Sequence, residues 1–284
     1  MQWPKAKNLI IILLAAVNVF LLSRLIILGT NEKYISESFA ADSAAVLENK
    51  GLYISSDDIP LEIPSAPAVM YSLEIDGYNS FVSHVLLQPI ASLKNDILIE
   101  DSNVVGAYYM SDAGLVSLYF DGSFSFTANE TNTEKAPSVS RARALALNFA
   151  QLTGLPASSL SVIHTESTDT GYIFSVEQLV NGLTVEGYGM EIKITGQSVE
   201  FAQGRLLLTD TGEVSGTSLP SAVNALFSVA AAFDEEMTVT GMELCYFPAN
   251  EEDHSYTVCT PSYRIETDKG VLFYLLTSGQ IYWE

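Results

Sequence analysis

The side chains through which this chain could do covalent or metal chemistry are few: two cysteines, Cys245 and Cys259, and three histidines, His84, His164 and His254. A thiol redox centre or a zinc site needs ligands at close spacing, such as C-x-x-C or paired histidines three or four residues apart, and neither pattern occurs. No G-x-S-x-G, H-E-x-x-H or phosphate-loop motif is present. Asp57-Asp58 and Glu251-Glu252-Asp253 gather carboxylates, but without the glycine and ligand spacing of a calcium loop they read as solvated turns. Reactive groups that do not converge predict a chain with no catalytic residue, no metal and no cofactor. The two cysteines stand equidistant from Glu252, so a hairpin centred there sets them face to face. A cross-strand disulfide and a pair of buried free thiols are both compatible with that spacing.

With chemistry set aside, the elements that place contact surfaces come next. The first thirty residues are lysine-flanked and then apolar. Leu9 to Leu28 is 20 residues, which as a helix spans about 30 Å, the thickness of a bilayer's hydrocarbon core. Lys5 and Lys7 precede the span, which predicts a cytoplasmic N-terminus and an extracytoplasmic remainder, held by an uncleaved single-pass anchor in the cell membrane. Ala15, Asn18 and Leu22 share one helical face, where a mid-membrane amide beside a small residue favours contact with a partner helix. Trp3, Lys5 and Lys7 read as interfacial and topology signals, and Arg24 as a snorkelling side chain. All 34 acidic residues lie beyond position 30, while Lys5, Lys7 and Arg24 are among the 13 basic ones. An exterior part this acidic repels nucleic acid and anionic lipid.

Beyond the anchor, periodicity predicts helices over 31–50, 140–152 and 219–233, the second capped by Ser138 or Ser140 and the third opening at Ser218-Leu219-Pro220. Strands are expected over 68–75, 104–110, 115–120 and 123–127, then 161–165, 172–180, 183–194 and 198–208, and finally 242–247, 256–266, 271–277 and 280–284. Asp121-Gly122 and Asn181-Gly182 are hairpin-turn signals. The polar stretch 128–137 is the natural boundary. The expected domains are therefore 1–30, the cytoplasmic N-terminus and anchor; 31–135, a first extracytoplasmic α+β domain; and 136–284, two tandem units of about 136–212 and 213–284. The fold class expected is α+β: a transmembrane helix, then tandem units that each pack a helix on an antiparallel sheet.

Two stretches carry a family resemblance. The pattern W-x-K-x-K at Trp3, Lys5 and Lys7, followed by N-x-F-L at Asn18, Phe20 and Leu21, resembles the YycI family of membrane-anchored regulators. VNGLTVEGYGMEI, LCYFPA, TPSYRIET and LLTSGQIYWE look like the PepSY-like modules of YycI and its relative YycH. The region 31–135 matches only weakly. The resemblance implies a non-enzymatic accessory protein of the YycFG (WalRK) two-component system, which controls cell-wall metabolism in Gram-positive bacteria. Its implied partners are a YycG/WalK-like sensor histidine kinase and a YycH-like protein, with a homo- or hetero-dimer as the assembly. The rival expectation is an anchored PepSY-type module that binds a peptide or inhibits a protease. Exposed sheet edges could accept a partner strand in either case.

Overall fold

The computed structural model describes residues 33–284 apart from 73–74, 101–102, 131–136, 215–218, 234 and 251–255. The expected anchor, and with it Trp3, Lys5, Lys7, Ala15, Asn18 and Leu22, lies outside the described residues. Among the described residues no helix is long and apolar enough to cross a membrane.

The helices are α1 (Glu37–Glu48), α2 (Asn79–Val85), α3 (Val139–Gln151) and α4 (Ala222–Ala232). Serine hydroxyls cap three of them. Ser36 accepts from the Phe39 N–H, Ser138 from that of Arg141 and Ser221 from that of Asn224, each satisfying a donor that the first turn leaves open. The cap of α4 is thus Ser221 rather than Ser218, and Pro220 precedes the helix instead of opening it. On α3, Ala142, Ala146, Phe149 and Ala150 are buried at helical spacing, so one stripe faces the core.

Fifteen strands accompany these helices among the described residues: β1 (Leu52–Tyr53), β2 (Ala68–Ser72), β3 (Lys94–Glu100), β4 (Asn103–Met110), β5 (Gly114–Tyr119), β6 (Ser123–Ala128), β7 (Leu160–Ser167), β8 (Gly171–Val180), β9 (Leu183–Thr195), β10 (Ser198–Arg205), β11 (Thr209–Val214), β12 (Met237–Asn250), β13 (Tyr256–Thr267), β14 (Gly270–Leu275) and β15 (Ile281–Trp283). The chain forms two compact units. One takes the stretch ending at Ser65, Thr217–Glu243 and Tyr263–Glu284; the other takes Ala66–Gly216 and Leu244–Ser262.

In the larger unit the strands run in the order β11-β2-β13-β12-β9-β10-β6-β5-β4-β3, and β8 with β7 branches from β9. From β7 to β3 every pairing is antiparallel. β9 also meets β12 in parallel, with Val185 opposite Tyr246. Helices α2 and α3 contribute Phe81, Val82, Ala146 and Phe149 to a core completed by Phe124, Phe126, Phe174, Ile192 and Ala202. Phe81 stands edge-on to Phe124 at 5.0 Å and to Phe149 at 5.9 Å, an arrangement that suits aromatic quadrupoles. A second cluster joins Val69, Tyr71, Val185, Tyr188, Leu207 and Tyr246. In the smaller unit β1 pairs in parallel with β12 at Leu52 and Met237, and β14 pairs with β13 and β15. Helices α1 and α4 are in contact there.

These findings correct the expected fold class. The protein is not α+β in tandem units that each carry a helix on a private antiparallel sheet; it is mostly strand in a large mixed sheet. Strands β6 and β10, read from the sequence as parts of different units, are direct neighbours with Ala202 opposite Phe126. The physical reason lies in strand length and long-range pairing. β12 is 14 residues and β13 is 12, about twice an ordinary strand, and each begins in one compact unit and ends in the other. Parallel pairs between segments as distant as Leu52 and Met237 leave no trace in local periodicity.

Both hairpin turns form. Asn181 and Gly182 take φ of 51° and 80°, as a type I′ turn requires. At Asp121-Gly122 the loop is longer than two residues: the Gly122 N–H reaches the Tyr119 carbonyl, and only Gly122 has positive φ. This is the three-residue form, a turn closed by a glycine bulge.

One buried polar side chain marks where β8 and β9 part. The β8–β9 register breaks between Glu177 and Leu179, and Gln178, 1% exposed, turns its amide onto Leu207 instead. Its Nε2 donates to the Leu207 carbonyl and its Oε1 accepts the Leu207 N–H, both at 2.8 Å, so the side chain replaces a missing strand partner. Gln178→Leu should therefore strand two backbone groups and cost about 1–3 kcal/mol for each one left unsatisfied. Urea unfolding of the variant measures it, and an unchanged midpoint would refute this role.

Candidate interaction surface

Among the described residues strand β3 ends the sheet, and its only neighbour in the strand order is β4. The pairing runs from Lys94 opposite Met110 to Glu100 opposite Asn103, with an irregularity where Leu98 and Ile99 face Gly106 and Val104. Val105 is the additional residue, so the bulge lies on β4 and β3 stays regular. A strand with one face on a core buries alternate residues. β3 does not: Lys94, Asn95, Asp96, Ile97, Ile99 and Glu100 are exposed and only Leu98 is half-buried. Ile97 and Ile99 expose 52% and 59% of their surface, and at a spacing of two they point to the same face.

Among the described residues no strand covers the backbone of this edge. The Ile97 N–H is accepted by Asp96 Oδ1 at 2.8 Å, which shows that it points away from β4. In an antiparallel ladder the N–H and C=O of one residue face the same neighbour, so Asn95, Ile97 and Ile99 present their backbone outward. A carboxylate over an edge N–H is a device by which free edges are kept from pairing indiscriminately. The arrangement can take up an extended segment by hydrogen bonding once that carboxylate moves aside.

The densest polar cluster elsewhere does structural work. Arg205 on β10 donates from Nε to the Asp121 carbonyl at 2.7 Å and pairs with the Asp121 carboxylate at 3.0 Å, while its guanidinium lies over the Tyr188 ring. The buried Tyr78 oxygen sits at the Gly122 and Leu206 carbonyls and accepts the Leu206 N–H at 3.2 Å. Burial drives the Tyr78 phenol far above its ordinary range. Burial would also raise the Asp121 carboxyl, but hydrogen bonds from Ser123 and the charge of Arg205 outweigh it and hold that carboxyl below its usual value. The cluster binds the β5–β6 hairpin to β10.

The sequence-predicted positions are dispersed. Cys245 on β12 and Cys259 on β13 are buried thiols outside any disulfide, and burial pushes the Cys259 thiol up to about 12. His84 lies in the last turn of α2, with Nδ1 3.4 Å from the Leu152 carbonyl; His164 is on β7 and His254 lies outside the described residues. Asp57 and Asp58 sit exposed in a short 3-10 turn capped by Ser55. Among the described residues no group of three or more His, Cys, Asp or Glu side chains could hold a metal ion. Asn181 donates to the Tyr246 hydroxyl, which donates to the Pro67 carbonyl at 2.8 Å. Sequence reasoning placed no strand over 94–100, although the alternation of Ile97 and Ile99 before Asp101-Ser102-Asn103 was a strand-and-turn signal.

No protein-family model matches the chain, and no curated protein does. Among solved structures it is similar to an uncharacterized protein from Eubacterium rectale ATCC 33656, with TM-score 0.45 and 10% identity over 78% of this chain and 86% of that one. It is also similar to the Bacillus megaterium YpeB C-terminal domain, with TM-score 0.36 and 11% identity over 75% and 98% of the two chains.

Two outcomes are expected. Native protein at about pH 8 should leave both thiols unreacted with an aromatic disulfide reagent, because both side chains are buried out of its reach; denatured, unreduced protein should titrate two thiols per chain. A fast native reaction, or no thiol after denaturation, contradicts the burial or the free state. Asp121, depressed when folded, adds stability that is complete above the unfolded carboxylate pKa of about 3.9 and disappears as pH falls through its lower folded value. Asp121→Asn should be less stable than wild type at neutral pH, with the gap closing in acid, as urea titrations across that range would show.

Proposed function

We propose that this chain is a non-catalytic binding protein, which takes an extended segment of a partner onto the outer edge of β3 and regulates that partner through the contact. The observation that carries the reading is the regular β3 edge, with exposed Ile97 and Ile99 and an outward Ile97 N–H. Backbone pairing supplies affinity there, and the side chains on alternate faces supply selectivity.

The setting we assign is extracytoplasmic, at the cell membrane. It rests on Trp3, Lys5, Lys7, Asn18, Phe20 and Leu21, whose pattern resembles YycI proteins. The partners are then a sensor histidine kinase and a YycH-like protein. Regulation requires that the edge bind the two states of the kinase complex unequally, since equal binding shifts no equilibrium.

Ile97→Pro removes the outward N–H and leaves the β4 side of the ladder intact, as proline at an edge allows. The full-length variant should keep its melting temperature and lose co-purification with the kinase and the YycH-like protein from membranes. Retention of both partners would overturn the edge as the working surface. A protease captured through the same edge in their place would reassign the chain as an inhibitor.

A further inference from the structure

Strand β3 is its own electrostatic complement. Lys94 and Glu100 stand at equal distances on either side of Ile97, at opposite ends of the strand. An antiparallel copy of β3 laid along the free edge with Ile97 opposite Ile97 brings Lys94 of each chain opposite Glu100 of the other. Asp96 then faces Leu98, and Asn95 faces Ile99. Because the Ile97 N–H points outward, the central position is a hydrogen-bonded pair, the geometry that an antiparallel two-fold permits.

Neighbouring registers are worse. Sliding the second strand by two residues, the smallest step that preserves the hydrogen-bonding pattern, sets Asp96 opposite Asp96 in one direction and opposite Glu100 in the other. Like charges directly across a ladder are destabilising, whereas opposite charges contribute. Among registers that keep five or more of the seven residues paired, charge therefore selects this one; sliding by four also sets Lys94 opposite Asp96 but pairs only three residues a side. The same pairing brings Ile97 and Ile99 of both copies into one apolar stripe.

We infer that, when no other partner is bound, the β3 edge of this protein is capped by β3 of a second copy in a two-fold antiparallel pair centred on Ile97. This rests on the reading of β3 as a strand-accepting edge and names the chain that occupies it. The contact is isologous, so it closes on itself and consumes the edge it uses. Seven residues a side bury less than the roughly 1,200 Å² of standard interfaces, so the dimer should be weak and concentration-dependent.

The test uses full-length chains in detergent, carrying two different tags. Lys94→Glu alone and Glu100→Lys alone replace both cross-strand ion pairs by like-charge pairs and should each weaken self-association by on the order of tenfold. Mixing these two variants should restore association as a heterodimer, because every Glu then meets a Lys, and the double variant should recover it as a homodimer. Ile97→Cys should form an intermolecular disulfide on oxidation, since hydrogen-bonded antiparallel pairs lie about 5.5 Å apart between Cα atoms, within disulfide reach. Equal association of all charge variants, or absence of the cross-link in Ile97→Cys, overturns the dimer. If Ile97→Pro still releases the kinase complex in that case, the edge remains a binding surface and only its self-pairing is lost. If the charge rule holds while Ile97→Pro keeps its other partners, the dimer stands and the regulatory reading falls.

Discussion

Everything outward of β9 hangs on a close approach of three backbones. At the row where Gly189 of β9 meets Glu177 of β8 and Arg205 of β10, a Cβ on Gly189 would lie 2.3 Å from the Val176 carbonyl oxygen. One on Gly204 would lie 2.1 Å from the Gly189 carbonyl. No side chain fits at either place, and at Gly189 the φ of 156° is one that L residues rarely adopt, so sterics and backbone conformation both require glycine there. With both glycines the β8-β9-β10 seam closes, and β10 can then receive β6, β5, β4 and β3 in order. The exposed edge is thus the last consequence of a contact several strands away.

Around that seam the molecule satisfies its backbone by substitution where strands diverge. Gln178 stands in for a strand at Leu207, and the Tyr78 hydroxyl answers Leu206 next door. Arg205 reaches across to the Asp121 turn, so the beginning of β6 is held from β10 by a side chain as well as by the ladder. Buried polar groups of this kind are costly unless each partner is present, which makes the arrangement specific as well as stable. Apolar packing of Phe81, Phe124 and Phe149 supplies the bulk attraction, and the polar bridges decide which backbone meets which.

Much of the local structure was legible in the sequence, and the failures have physical causes. Helices α1, α3 and α4 announce themselves by apolar spacing, α3 also by its Ser138 cap, and the Asn181-Gly182 turn by its positive φ requirement, whereas the Ser36 cap was not read and the Ser221 cap was sought at Ser218. The seven-residue α2 is too short to show a period, and β11, read from TDTGEV, has almost no apolar residue to alternate. β3 was missed because Lys94, Asn95 and Asp96 are poor strand formers and because an edge exposed on both faces has no burial pattern to read. The parallel contacts of β12 with β1 and β9 join segments whose proximity only the folded chain creates. The β3 edge was therefore the least legible part, because among the described residues nothing packs over it to impose a pattern.

A strand edge that must bind one segment and refuse others needs a barrier as well as a template. Asp96 supplies the barrier, since its carboxylate occupies the Ile97 N–H and must be displaced by any incoming carbonyl. The bulge at Val105 supplies the template, because the extra residue lies on β4 and the alternation along β3 is uninterrupted. A bulge on β3 itself would have broken the alternation of outward groups at Asn95, Ile97 and Ile99. In the proposed contact the net charge of −21 acts in the same direction as Asp96, and a segment that places a cation opposite Glu100 and no carboxylate opposite Asp96 is favoured. In the proposed contact, selectivity comes more from what the edge repels than from what it holds.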